Sequence, residues 1–198
     1  MRFCGRIRTL LTSLEQILYD YFMTKIVLIF GLISGAIAAT LMWIMLTAMK
    51  TGAIGHGLIF GYASMIISLS LVFFGVKSYR ENNGGRITFV KALQVGILIS
   101  LICAVCYAVS WEIYFRTSGG NFMAEYTAQY IAKMKENGAS DTEIDKTQKQ
   151  MADMAVAYQN FFFRFGMTLL EILPVGIIVT LVSAALLRKR EILPGYPA

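Results

Sequence analysis

The stretch IVLIFGLISGAIAATLMWIMLTAM, residues 26–49, decides the fold. It carries no charged residue and lies between Lys25 and Lys50. A helix needs about 20 apolar residues to cross a hydrocarbon core of about 30 Å. The apolar run is continuous rather than alternating, which excludes a membrane-spanning strand. We therefore predict that this stretch is a transmembrane helix.

Three further stretches have the same character, and basic residues follow each of them. Within the four runs the acidic residues are Glu112 and Glu171. The sequence thus predicts an all-α fold, an integral membrane four-helix bundle. The further predicted spans are 54–76, 90–115 and 165–187.

The composition supports this class of protein. Of the 198 residues, 57% are hydrophobic and 15% are charged, whereas soluble domains carry about 45–50% and about 25%. This excludes a disordered chain and most soluble enzymes. The length fits one compact unit, with a membrane domain over 26–190, an N-terminal segment over 1–25 and a tail over 191–198.

Basic residues are distributed unevenly over the two ends of the predicted spans. The positive-inside rule therefore places both termini in the cytoplasm. The net charge of +6 reflects this orientation rather than binding of nucleic acid. The eleven basic residues on the predicted inner side are Arg2, Arg6, Arg8, Lys25, Lys77, Arg80, Arg86, Lys91, Arg188, Lys189 and Arg190.

The first 22 residues are moderately amphipathic, and we expect them to lie on the inner membrane surface. Translation that starts at Met23 is an equal alternative, which the intact mass of the native protein decides.

The polar insert between the third and fourth spans has a helical pattern. Phe122, Tyr126, Tyr130 and Met134 recur every four residues and predict one apolar stripe. Ser140 and Glu143 have the spacing of a capping box, which predicts a second helix. We expect a helical hairpin over about 121–158, on the outer side of the membrane, whose stripes pack on each other, with a groove that binds a partner as the alternative.

Two stretches resemble a known family. They are GYASMIISLSLVFFGVKSYRENNGGRITFVKALQVGILIS, residues 61–100, and EILPVGIIVTLVSAALLRKR, residues 171–190. Both are similar to a bacterial membrane family known as domain-of-unknown-function family 4199, and the resemblance covers about residues 24–190. It implies a small four-span inner-membrane protein and assigns no activity. The chain departs from the pattern at its front, since family members begin near the residue that matches Met23.

The loop after the second span is rich in glycine and in basic residues. We expect a tight turn whose basic residues fix the topology; contact with anionic lipid head groups or a phosphate is the alternative. The loop lacks the GxxxxGK[ST] pattern of a P-loop. The candidate contacts are Lys77, Arg80, Arg86 and Lys91.

Two pairs of glycines have the spacing that lets transmembrane helices approach closely. They are Gly31 with Gly35 in the first span, and Gly57 with Gly61 in the second. We expect them to pack helices within one chain, with a homodimer as the alternative.

Three ionisable residues fall in the outer third of the predicted bundle, and they form a candidate intramembrane polar site. They are His56, Glu112 and Glu171. A carboxylate in hydrocarbon is costly, so both glutamates should face other helices or water. We expect Glu112 to reach the interface or to pair with Arg116, four residues on. We expect Glu171 to face the third span beside Pro174, whose kink opens room for a polar neighbour.

Three functions follow from these patterns. The leading hypothesis is a non-enzymatic membrane protein that acts through assembly or interaction in the cell envelope. A small ion- or proton-coupled transporter that uses Glu112 and Glu171 is the second. A membrane-embedded metalloenzyme that adds His56 is the third, although catalytic zinc usually has three protein ligands and a water. We predict no cofactor, no metal and no catalytic residue; Cys103 and Cys106 are expected to be apolar packing residues.

Overall fold

The computed structural model of the protein describes the backbone of residues 2–50, 57–118 and 122–188, and the side chains within 21–48, 59–118 and 122–188. In these ranges the chain is helical and contains no strand, which confirms the predicted all-α class. The helices are α1 (Arg2–Lys50), α2 (Gly57–Asn82), α3 (Phe89–Thr117), α4 (Phe122–Glu136), α5 (Asp141–Tyr158) and α6 (Phe161–Leu187).

Four of these helices are long and apolar enough to cross a membrane. Their apolar parts are 24 to 29 residues long, with a mean hydropathy of 2.1 to 2.3, and 24 residues of helix already exceed the hydrocarbon thickness at about 1.5 Å per residue. The protein is therefore a membrane-type helical bundle with multiple spans. The spans are Tyr21–Ala48, Ile59–Asn82, Phe89–Thr117 and Phe161–Leu187.

The fourth span begins at Phe161, four residues before the predicted start. The side chain of Asn160 explains this boundary, because its Oδ1 accepts hydrogen bonds from the backbone N–H groups of Phe162 (2.9 Å) and Phe163 (3.2 Å). An asparagine in this role satisfies donors that a helix start leaves open. The helix consequently includes Arg164, which the sequence analysis placed outside the span.

The chain divides into two compact units, and the larger comprises residues up to Cys106 together with those from Ile172 onward. In this unit α1 crosses α3 closely at the first glycine pair. A Cβ atom on Gly31 would lie 2.8 Å from the Ile102 Cβ, and one on Gly35 would lie 2.5 Å from the Cys106 Cβ. These glycines therefore let two helices of the same chain approach closely.

A hydroxyl group joins α1 to α2 in the same unit. The Ser34 Oγ donates a hydrogen bond to the Ser68 carbonyl at 2.6 Å, and both residues are fully buried. Gly61 of the second pair lies 3.6 Å from the Met45 methyl carbon, measured from the Cβ position, whereas the side-chain position of Gly57 lies outside the described residues.

The loop between α2 and α3 is the tight turn that the sequence predicts. Gly84 and Gly85 have φ values of +68° and +73°, a region that favours glycine. The Arg80 carbonyl accepts from the Gly85 N–H at 3.0 Å, and the Arg80 Nε donates back to the Gly85 carbonyl at 3.0 Å. Arg80 is buried, so its guanidinium holds the turn.

The smaller unit, Tyr107–Glu171, contains the helical hairpin of α4 and α5. Gly138, at φ +77°, lies in the turn between the two helices. The predicted capping box is present: the Ser140 Oγ accepts from the Glu143 N–H, and the Glu143 carboxylate accepts from the Ser140 N–H at 3.0 Å. The box therefore fixes where α5 begins.

The predicted stripe on α4 is wrong in part. Tyr126 and Tyr130 are 40% and 42% exposed, and the buried residues of α4 are Met123 and Ile131. Residues spaced four apart rotate by about 40° at each step of a helix with 3.6 residues per turn. Residues at four-residue spacing therefore turn progressively away from the packed side of the helix. The side of α4 that is buried carries Met123 and Ile131 instead.

Candidate functional site

A buried ion pair between Arg164 and Glu112 is the centre of the smaller unit. The Arg164 Nε donates to the Glu112 Oε1 and its Nη2 donates to the Glu112 Oε2, both at 2.6 Å. The two side chains are only 5% and 9% exposed. This parallel, two-point contact is the strongest geometry available to an arginine and a carboxylate.

The remaining groups of the Arg164 guanidinium are also engaged. Its Nη1 donates to the Tyr158 carbonyl at 2.6 Å and lies 3.5 Å from the Gln159 carbonyl. The Phe115 ring lies 4.0 Å from the guanidinium carbon, within the range of a cation–π contact. Each guanidinium nitrogen therefore has an acceptor, which is the condition for placing such a charge in a low-dielectric interior.

The position of each partner follows from local helix structure. Glu112 lies near the end of α3, and Arg164 lies in the first turn of α6, whose start Asn160 defines. Tyr158 and Gln159 lie at the end of α5, where carbonyl groups lack partners within the helix. A cation is favourable there, so Arg164 ties the ends of α3, α5 and α6 together.

The partner of Glu112 differs from the one that helical spacing predicted. Arg116, one turn further along α3, is exposed and does not pair with Glu112. Arg164 is 52 residues away in the chain, so helical spacing gives no access to it. The one available signal is its setting in FFFRFG, a single basic residue inside an aromatic and apolar run.

Aromatic side chains of the smaller unit form a series of ring contacts that includes Phe115, which lies against Arg164. Trp111 stacks on Tyr114 at a centroid distance of 5.7 Å. Its ring is perpendicular to that of Phe122, with the two ring centroids 4.9 Å apart. Phe115 contacts Tyr158 at 5.8 Å. Phe115 also contacts the Arg164 guanidinium, and the burial of the pair strengthens the ionic contact.

Tyr158 is the titratable group at the rim of this cluster. Burial raises the pKa of its phenol to about 12, with Glu171 and Glu112 acting in the same direction. The neighbouring Trp111 indole and the Arg164 cation oppose that shift. The hydroxyl therefore stays protonated at physiological pH.

The aromatic contacts continue outward along α4. Phe122 stacks on Tyr126 at 6.0 Å, and Tyr126 stacks on Tyr130 at 6.2 Å. Together with Trp111 these rings form a ladder whose outer members are exposed. The stripe that was predicted to close the hairpin is thus largely a surface feature.

Glu171 does not occupy the interior position that the sequence predicts. It is exposed on α6, next to the buried Ile172 and beside Leu170, which is 67% exposed. The buried positions of α6 recur at Thr168, Ile172 and Thr180. These residues are packed, whereas Glu171 lies about 100° from Ile172 and about 60° from Thr168 around the helix and is exposed.

The remaining candidate residues do not gather into one site. His56 lies outside the described residues, and no group of three metal-binding side chains occurs among those described. Lys77 lies 3.6 Å from Glu81 and Arg86 is exposed. Arg80, which closes the loop, is buried.

The fold and the ion pair define a class of protein: a helical membrane protein with multiple spans whose buried charges are structurally satisfied. Residues 29–189 match the family described as protein of unknown function (DUF4199), and the chain belongs to this family. No curated protein and no solved structure matches the chain.

Proposed function

We propose that the protein acts by assembling with another membrane protein, and that the partner packs against the part of α6 that carries Glu171. One observation supports this proposal: a carboxyl group lies exposed on the surface of an apolar membrane helix. The partner is a membrane helix that offers a hydrogen-bond donor or a positive charge at the same depth.

The position of Glu171 makes lipid an unfavourable neighbour. It lies seven residues from Arg164, or about 10 Å along the helix. Its neighbours on the exposed surface are Leu170 and Met167, which are 67% and 40% exposed. Among the described residues none forms a hydrogen bond or an ion pair with Glu171, and polar groups in membrane spans are usually partnered.

A relay of two carboxylates for transport is less well supported. Glu112 is bound at both oxygens by Arg164, and freeing it would leave a buried arginine without its counter-ion. A transport mechanism would therefore use Glu171 as its proton-carrying carboxyl, and Glu112 would take no part in it. Proton-coupled transport through Glu171 is the alternative function, because this carboxyl is in no ion pair among the described residues.

We further propose a bacterial inner-membrane location, with both termini in the cytoplasm and the hairpin in the periplasm. The distribution of basic residues supports this orientation. Reporter fusions after Arg80 and after Arg190 should give cytoplasmic signals, and fusions within 121–158 should give periplasmic signals. Protection of the hairpin from a protease added outside the membrane would contradict the orientation.

The assembly is tested by photo-crosslinking in native membranes. A photoreactive amino acid at Leu170 should give a discrete protein adduct, whereas the same label at Ile97, an exposed residue of α3, serves as the control. Glu171→Leu should remove the adduct, and Glu171→Gln, which keeps hydrogen-bonding groups, should retain it.

Two results separate the alternatives. Adducts with lipid alone at Leu170 would overturn assembly through this surface. Proton flux in proteoliposomes that Glu171→Gln abolishes, with insertion and stability unchanged, would establish transport instead.

A further inference from the structure

An apolar groove lies between α2 and α6, within the larger unit, and has a volume of about 320 Å³. Both helices contribute bulky side chains that are open at the surface of the protein. The lining includes Ile66, Phe73 and Phe74 of α2, and Ile178, Val179 and Val182 of α6.

The two hydroxyl groups that line the groove already donate hydrogen bonds within their own helices. The Ser70 Oγ donates to the Ile67 carbonyl at 2.6 Å, and the Ser183 Oγ donates to the Val179 carbonyl at 2.7 Å. Each bond lies within its own helix. The groove therefore presents an apolar surface, and its occupant must be apolar along the same length.

The shape of the lining favours a flexible chain over a packed helix. Helices associate in membranes through small residues that let their backbones approach. Phe73, Phe74 and Ile178 hold a second backbone away, and the nearby Gly75 faces inward, where its Cβ position lies 2.5 Å from the Ile99 side chain. A hydrocarbon chain, in contrast, can adapt to the spaces between such side chains.

A positive charge lies at one end of the groove. Lys77 follows Ser70 by seven residues and Ile66 by eleven, so it shares their side of α2, about 10 Å beyond Ser70. Its side chain is 33% exposed and lies 3.6 Å from Glu81. Arg188, which follows the end of α6 at Leu187, is exposed and adds a second positive charge at the same end of the fold.

We propose that this groove binds an anionic phospholipid, with one acyl chain along the groove and the phosphate beside Lys77. The apolar lining would bind the acyl chain, and the positive charges at the end of the groove would bind the anionic head group. This lipid site uses residues other than Glu171, so it stands or falls independently of the proposed assembly.

Lipid binding to the purified full chain, measured by native mass spectrometry, tests the proposal. Phosphatidylglycerol and phosphatidylethanolamine with identical acyl chains are compared, with glycerol phosphate as a head group without chains. Lys77→Gln should weaken phosphatidylglycerol binding about five-fold and phosphatidylethanolamine binding by less, because the ammonium group of that lipid already offsets the charge of its phosphate. Arg86→Gln, at an exposed position in the loop, is the matched control and should have a smaller effect.

The groove itself is tested by filling it. Val182→Trp should weaken binding of both lipids by more than about ten-fold, because displacement of two or more buried methylene groups suffices. Leu181→Trp, at a neighbouring exposed residue outside the lining, should bind as the unaltered protein does. The proposal is overturned if the two tryptophan variants behave alike, if Lys77→Gln and Arg86→Gln behave alike, or if glycerol phosphate binds as tightly as the lipid. It is also overturned if Val182→Trp separates a dimer and leaves lipid binding intact.

Discussion

Arg164 and Glu112 meet through two parallel hydrogen bonds of 2.6 Å, although 52 residues separate them in the chain. The pair joins the end of α3 to the beginning of α6. Arg164 also donates a hydrogen bond to a carbonyl group at the end of α5. The remaining Arg164 nitrogen donates to carbonyl groups. The charges are therefore components of the fold, whereas Glu171 is in no ion pair with a described residue.

Removal of one member of this ion pair should be strongly destabilising. Glu112→Ala should lower the free energy of unfolding by about 3–5 kcal/mol, because it leaves a buried guanidinium without a counter-ion. Replacement of both residues by leucine should recover much of the loss. Unfolding of the protein in nanodiscs by heat or denaturant measures both effects. Arg116→Gln, at an exposed site on the same helix, should change stability by less than about 0.5 kcal/mol, and a loss for Glu112→Ala no larger than that would contradict the role of the pair.

A side chain at Gly35 should force α1 away from α3. The new Cβ atom of Gly35→Ala would lie 2.5 Å from the Cys106 Cβ, and overpacking of this kind costs about 1–3 kcal/mol. Gly166→Ala is the control, because the Cβ position of Gly166 has no described atom within 4 Å. This variant should be neutral or more stable by up to about 1 kcal/mol. Cys106→Gly should rescue Gly35→Ala, and failure of that rescue would refute the close crossing.

The phenol of Tyr158 should ionise later than an exposed tyrosine. Burial raises its pKa to about 12, from an ordinary value of about 10. Between these pH values the unfolded chain has released this proton and the folded chain has kept it. The stability that Tyr158 contributes is therefore complete below pH of about 10 and is lost as the pH rises toward about 12.

Ultraviolet absorbance of phenolate during an alkaline titration measures this shift. Tyr158→Phe should remove the late component, whereas Tyr126→Phe, at an exposed position, should leave that component in place. A late component that persists in Tyr158→Phe would show that another residue is responsible.

The start of α5 should fray in acid. Hydrogen bonds from the Ser140 hydroxyl and backbone N–H lower the pKa of the Glu143 carboxyl. A carboxyl with a lowered folded-state pKa stabilises the structure above its ordinary range, and this contribution is lost as the pH falls through the folded-state pKa. Hydrogen exchange of the first-turn amides, corrected for intrinsic rates, should therefore increase in acid. Glu143→Gln should flatten this pH dependence and Asp153→Asn should not; equal profiles for the two variants would argue against the capping box.

The sequence by itself determined the features that depend on local spacing or on length. Bilayer thickness sets a minimum for a continuous apolar run, so the span over 26–49 could be recognised without knowledge of its neighbours. The capping box of Ser140 and Glu143 joins residues three apart, and their contact follows from the geometry of one helix turn. Gly84 and Gly85 likewise predicted a tight turn.

Tertiary structure alone decided which side of each helix is packed. A span that is apolar all round has no polar face to fix its rotation, so the exposure of Glu171 could not be derived from the pattern of α6. The same holds for Tyr126, since the real packed face of α4 depends on how α5 lies against it. The partner of Glu112 is the clearest case. Arg116 is the neighbour within the helix, whereas Arg164 reaches Glu112 because α6, capped by Asn160, starts at Phe161 and places its first turn beside the end of α3.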